Sequence, residues 1–196
     1  MRYSARITTA LVAAALCATP ALAQQKTGGV GLGVVGGYFS PGGSDFEYTD
    51  AGFGVEASGR LHLGPSWVML GGFGMSWHDD SSIDETITVM RVSVEPRYLF
   101  PSQGTLTPFI GGRAGWAHAT ATAGGYDLTQ NGYYFAGAGG LMIQMSPTMA
   151  FEAEVMFGSM HLGDASADGT TISDTAADGS FLGLQAGIVI QLGGSR

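Results

Sequence analysis

Cysteine occurs once, at Cys17, so from residue 18 onward the chain has no thiol and no disulfide. In an oxidising compartment such a fold must hold by packing and pairing alone. A long apolar run is also missing. Beyond residue 23 no stretch approaches the roughly 18 consecutive apolar residues of a membrane helix, although 45% of the chain is hydrophobic. Helical insertion is excluded. Charge is scarce at 12% of residues, and positive charge is scarcer, with eight Lys and Arg against sixteen Asp and Glu. Without residues 1–23 the chain keeps Lys26, Arg60, Arg91, Arg97, Arg113 and Arg196, a formal charge of 6 − 16 = −10. That balance repels a phosphate backbone and sets nucleic acid aside as a partner.

The first 23 residues have their own organisation. Arg2 and Arg6 precede an apolar stretch from Ile7 to Leu16, and Ala21-Leu22-Ala23 is a small-x-small cleavage site ahead of Gln24. This pattern predicts a cleaved secretory signal peptide over 1–23 and a single mature domain over 24–196. Leu16 is bulky where a lipoprotein signal has a small residue before its cysteine, so Cys17 is not expected to be lipidated.

Glycine is abundant, with 33 residues, and it lies inside strand patterns such as Gly29-Val30-Gly31-Leu32-Gly33-Val34-Val35-Gly36-Gly37. Glycine weakens a flat strand but suits the curvature and narrow interior of a barrel. The strands themselves are read from alternation. In Glu56-Ala57-Ser58-Gly59-Arg60-Leu61-His62-Leu63 every second residue is polar and the interleaved set is apolar or small. The same holds across Met90 to Tyr98 and Phe151 to Val155. A period of two is a strand with unlike faces.

Eight such segments are predicted, near 29–39, 51–63, 67–78, 86–100, 106–118, 132–145, 149–159 and 180–192. The connections alternate between tight turns (64–66, 101–105 and 146–148) and longer polar segments (40–50, 79–85, 119–131 and 160–179). An even number of strands with alternating short and long connections, behind an export signal, predicts an all-β, eight-stranded, antiparallel up-and-down transmembrane barrel. Residues 164–180, with Ile172 almost their only apolar side chain, are expected to be unable to pack a core and to be mobile.

Charge placement follows this arrangement. Twelve of the sixteen acids fall in the four long connections, and the remaining four are Glu56, Glu95, Glu152 and Glu154. In the predicted register these four face inward with Arg60, Arg91, Arg97 and Arg113. Such confined charges need partners, so an ion-pair network filling the lumen is expected. Outward-facing aromatics fall at both strand ends. Tyr38, Trp77, Trp116, Tyr133 and Phe157 lie toward the long loops, and Trp67, Tyr98 and Phe100 toward the tight turns. They predict two interfacial girdles.

Val94 to Phe100, Pro108 to Trp116 and Gln185-Ala186-Gly187-Ile188-Val189-Ile190-Gln191-Leu192 resemble the small outer-membrane β-barrel family of Gram-negative bacteria, the OmpA/OmpX-type, porin-like barrels. The resemblance implies residence in the outer membrane among lipid and lipopolysaccharide, and a structural or surface role. It also implies recognition of Gln185, Gly187, Ile190 and Leu192 by the barrel assembly machinery. The chain departs from that signal in ending it on Leu192 rather than an aromatic and in continuing to Arg196.

Other readings stay open: a narrow gated pore, a lipid A-modifying enzyme, or a soluble lipocalin-like binding barrel. The lipocalin would need an apolar lumen, the reverse of what the inward charges predict. An enzyme would need a nucleophile and base at the outer rim. Neither His161 with Ser166 nor His78 or His118 forms a convincing set, so no catalytic residue is assigned. Asp79-Asp80 with Asp84-Glu85 lack calcium-loop spacing, and no metal or cofactor is expected. The protein is expected to be a monomer, with the ligand of its extracellular loops unknown.

Overall fold

A computed structural model describes residues 29–81, 85–102, 104–123, 126–167 and 170–192. Its strands are β1 (Val30–Gly42), β2 (Gly52–His62), β3 (Trp67–Asp80), β4 (Glu85–Leu99), β5 (Leu106–Ala123), β6 (Tyr126–Ser146), β7 (Met149–Leu162), β8 (Ala165–Ala167), β9 (Thr170–Ile172) and β10 (Ala177–Gln191). Eight of them are long, and each pairs antiparallel with two neighbours in the order β5-β4-β3-β2-β1-β10-β7-β6, with β6 returning to β5. The sheet closes with no open edge along the wall, at a seam where the first and last strands meet over Gly31↔Gln191 to Gly42↔Ser180. Closure matters because lipid offers no hydrogen bond to an unpaired backbone amide.

The register fixes which residues meet lipid. The outward set includes Leu32 and Val34 on β1, Val55 and Leu61 on β2, Phe73 on β3, Val92 and Val94 on β4, Ile110 on β5 and Val155 on β7, all exposed. Between the two aromatic rims the outward positions carry no charge. Trp67 and Tyr98 pack edge to face at 5.3 Å, with Phe100 5.1 Å beyond, at the turn end. At the other end Tyr38 meets Phe53 at 5.6 Å, Trp116 stacks on His118 at 5.6 Å, and Tyr133 meets Phe135 at 5.7 Å.

The strands run further on the outer side than alternation predicts. The expected loop over 119–131 is largely wall, since β5 and β6 stay paired from Thr120↔Thr129 to Ala123↔Tyr126. The expected loop over 79–85 shrinks because Asp80 pairs with Glu85. The reason is visible in His118-Ala119-Thr120-Ala121-Thr122. Above the girdle the alternation inverts, with polar residues outward into water and alanine inward. The longest connection is likewise not a featureless loop. Its β8–β9 hairpin adds to the free edge of β6 through Leu128↔Ala167 and Thr129↔Ser166. Gln130 Nε2 donates to the carbonyls of Gly163 (3.2 Å) and Thr175 (2.8 Å), and Ala165 is buried. Residues 164–180, expected to pack no core of their own, are instead held against the barrel by this pairing and these hydrogen bonds. An exposed strand edge is a strong template for further pairing, and β6 outruns β7 by several residues.

Val92 lies midway along the outward face of β4, beside Phe73 and Trp116. Val92→Arg is expected to destabilise the folded barrel by about 2–4 kcal/mol. Thr122→Arg, outward but above the girdle and facing Asp127, is expected to stay within about 0.5 kcal/mol. Urea titration of folding into phospholipid vesicles, monitored by tryptophan fluorescence, measures both.

Candidate functional site

The interior is stacked in three tiers. Val68, Leu70, Leu99, Phe109, Met142, Ala150 and Val189 form an apolar cluster at the tight-turn end. The charged residues occupy the middle. Above them Phe39, Val89, Ala117, Ala119, Tyr134, Ala138, Met156, Leu162 and Phe181 form a second apolar cluster. The expected ion-pair network thus occupies the middle of the lumen rather than its whole length, with mainly apolar side chains above and below it. The outer third has the apolar inside and polar outside of a water-soluble sheet.

In the middle tier, seven charged side chains meet. Arg60 and Glu152 form a two-pronged pair, Nη1 to Oε2 at 2.6 Å and Nη2 to Oε1 at 2.9 Å. Arg97 reaches Glu152 at 2.9 Å and Glu95 at 2.7 Å, and it also bonds Glu154. Arg113 joins Glu56 at 2.8 Å, Glu95 at 2.7 Å and Glu154 at 3.1 Å. The Arg97 guanidinium also lies 3.8 Å from the centre of the Phe109 ring, tying this tier to the one below. Glu95 and Arg97 are each 1% exposed. Three arginines facing four glutamates leave a formal charge of 3 − 4 = −1. At such burial, ionised groups persist only when charge-assisted hydrogen bonds replace the water they lost.

Two inward glycines give these groups room. A β-carbon at Gly111 would come within 2.7 Å of Glu95 Oε1, and one at Gly33 within 2.7 Å of Ser58 Oγ and 3.1 Å of the Arg60 guanidinium. Gly33 lies on β1, over which Arg60 of β2 must reach to find Glu152 of β7. Strand curvature is thus one reason for glycine here, and clearance for arginine is another.

Arg91 stands apart from the predicted set. It is buried, 8% exposed, and faces inward, yet it forms no ion pair among the described residues. Its guanidinium instead lies 3.9 Å from the centre of the Phe39 ring, and its Nη2 has no hydrogen-bond partner. Period two places a residue inside without fixing its height, and Arg91 sits a tier above its fellows.

Other candidates resolve individually. His161 Nδ1 pairs with Asp178 at 2.6 Å and tilts on Tyr133, whereas the Ser166 hydroxyl bonds the Thr170 carbonyl at 3.4 Å, so the two are not joined. His78 has both ring nitrogens engaged, by the Asp50 carbonyl at 3.1 Å and Ser76 Oγ at 3.0 Å. His118 bonds Asn131 at 2.9 Å. Asp79 accepts from Thr86 and Asp80 from Thr49, each at 3.0 Å, while Asp84 lies outside the described residues. Among the described residues no cluster of His, Cys, Asp and Glu is arranged to hold a metal. Trp67, Trp77, Trp116, Tyr38, Tyr133, Phe100 and Phe157 project outward, exposed, and Tyr98 is half-buried at its rim. Of the final-strand residues, Gln185 is buried in the lumen, while Ile190 and Leu192 face out.

Sequence reasoning missed the tie between the first outer loop and the last strand. The Asp178 amide donates to Asp45 Oδ2 at 2.9 Å, and Ser44 Oγ donates to Oδ1 at 3.0 Å. Phe46, next in the chain, lies against Gly179, where any side chain would collide with its ring. No spacing rule connects residues 133 apart, and Asp45 reads simply as a solvated acid.

A closed eight-stranded wall with an uncharged outer face between two aromatic rims defines an integral β-barrel of a bacterial outer membrane. The model of the outer membrane protein beta-barrel domain matches residues 9–191, and the chain belongs to that family. Among solved structures it is similar to Neisserial surface protein A, with TM-score 0.65 and 13% identity over 82% of this chain and 96% of that one. It is also similar to OprG from Pseudomonas aeruginosa, with TM-score 0.59 and 9% identity over 89% of this chain and 100% of that one. At such identities the likeness is one of fold. No curated protein matches the chain.

Two outcomes are expected. Arg113→Ala removes the partner of three buried carboxylates and should cost about 3–5 kcal/mol, read by the same urea titration. The amide and hydroxyl bonds to Asp45 favour its ionised form and hold its carboxyl below the usual aspartate range. A depressed folded value gives stability above the ordinary carboxylate range that is lost as pH falls through it. The Asp178 amide should therefore lose hydrogen-exchange protection at about pH 3 relative to about pH 6, after correction for intrinsic exchange. In Asp45→Asn it should not.

Proposed function

We propose that the protein serves as a structural, surface-exposed barrel of the outer membrane, with a closed lumen and no catalytic role. The observation that supports this most is the middle tier. Arg60, Arg97 and Arg113 join residues from β2, β4, β5 and β7 across the interior, with an apolar cluster on either side. Two cavities among the described residues flank this tier, of about 70 Å³ above it and about 10 Å³ below. Barrels of about eight strands enclose little more than their own side chains, whereas diffusion channels have about sixteen.

In this reading the first outer loop, with Asp45 and Glu47, and the outer extensions of the strands, with Asp127 and Asp178, are the working face. Their partner is a molecule met outside the cell, and the protein acts as a monomer. Residues 1–23, outside the described set, are read as a leader that is removed. Gln185, Gly187, Ile190 and Leu192 are read as the segment met by the barrel assembly machinery, and the lipid contacted on the outer side includes lipopolysaccharide.

Planar-bilayer recording tests closure. The purified protein should show no steady conductance, and Arg113→Ala should lose stability before it gains current. Large, persistent currents from the unmutated protein would overturn the reading. A conductive Arg113→Ala barrel of unchanged stability would make Arg113 the gate of a narrow pore instead.

A further inference from the structure

The cavity in the outer third of the barrel has an unusual floor. It is lined by Phe39, Phe46, Ile87, Val89, Leu162 and Phe181, with Arg91 beneath them. Phe39, Val89, Leu162 and Phe181 are buried, while Phe46 and Ile87, nearer the rim, are half-buried, so the described wall opens toward the outer side. Among the other polar liners only Tyr134 Oη is also buried without a hydrogen-bond partner, and a phenol is neutral. His78 is engaged at both nitrogens, Gln130 donates to two carbonyls, and Tyr134 lies beside Ser93. Arg91 is charged. Its Nη2 is buried without an acceptor, one face of its guanidinium is covered by Phe39, and Glu56 and Arg113 act on it only through space.

An apolar cup with one convergent, unsatisfied cation is the form of a site for a small amphipathic anion. A guanidinium is best satisfied by a planar carboxylate, which accepts two parallel N–H bonds. The size of the cup limits the chain attached to that carboxylate. A volume of about 70 Å³, at about 10–15 Å³ for each water-sized position, corresponds to about five to seven positions. That suits a short chain, and a longer acyl chain would have to leave through the rim.

We propose that this cup binds a short-chain monocarboxylate, its carboxylate on Arg91 and its alkyl chain against Phe39, Val89, Leu162 and Phe181. The rival account is that Arg91 merely balances, from a distance, the single negative charge left over in the network below. The proposal is independent of lumen closure, because the cup lies above the charged tier and fills from outside whether or not ions can pass.

The experiment uses the full-length protein folded in dodecyl maltoside, whose head group is neutral, with methyl labels on Ile, Leu and Val. Titration with hexanoate is expected to give saturable shifts confined to Ile87, Val89 and Leu162, and hexan-1-ol of equal chain length should bind at least tenfold more weakly. Arg91→Met, which keeps length but removes charge, should weaken hexanoate binding at least tenfold. Ala119→Leu, which fills the cup while leaving Arg91 intact, should do the same. Should Arg91→Met fail to fold, Ala119→Leu and the comparison of hexanoate with hexanol on the unmutated protein still decide. Equal binding of acid and alcohol, shifts spread over lipid-facing Leu32 and Val34, or hexanoate binding unaltered in either variant would each overturn the proposal. So would the absence of saturable binding.

Discussion

Everything in this barrel stems from the inability of hydrocarbon to accept or donate a hydrogen bond. Backbone amides must pair, so the sheet must close, and closure here is made between β1 and β10. Outward side chains must be apolar, so charge that enters the wall can only point inward. Inside, there is space for a few side chains, so the charges of the middle tier must satisfy one another. The ion-pair tier is therefore the consequence of a boundary condition imposed from outside the protein.

The same condition stops applying above the girdle, and the structure changes character there. Beyond Trp77 and Trp116 the outward residues become Asp79, Thr120 and Thr122, and the inward ones become Val89, Ala119 and Phe181. The wall continues unbroken while its solvent changes from lipid to water. One sheet thus carries two opposite hydrophobic patterns end to end, and the first outer loop, through Phe46 and the Asp45 tie to Asp178, folds over the upper one. The outward-facing rings at the junction, such as Trp116 on His118, mark where one pattern gives way to the other.

How much of this was legible in the sequence depended on which pattern was in force. Within the membrane, parity alone places Glu56, Arg60, Glu95, Arg97 and Arg113 inside, because a slip of one residue would send every charge into lipid. Strand number and architecture are set by the same alternation. The outer strand ends were hidden because their marker, apolar residues outward, reverses there, although the period of two persists through His118 to Thr122. The β8–β9 hairpin has almost no apolar signal. It forms because β6 leaves backbone groups unpaired beyond Leu162, and that surplus appears only once strand lengths are known. Arg91 shows the remaining limit. Parity gives the side of the wall and says nothing of height, so an arginine in the apolar cup and one in the charged tier read alike.

The pair between Arg60 and Glu152 has a consequence for how the molecule comes together. In wall order β2 and β7 flank the two strands that meet at the seam, and the arginine crosses above Gly33 to reach its carboxylate. Until β1 and β10 have joined, these two side chains sit near opposite edges of an open sheet and remain hydrated. Once the edges meet, they lose their water together and bridge the join from within. The hydrogen bonds of the seam lie in the wall, where lipid surrounds them. The interior clasp lies out of reach of anything in the membrane that could compete for the free edges.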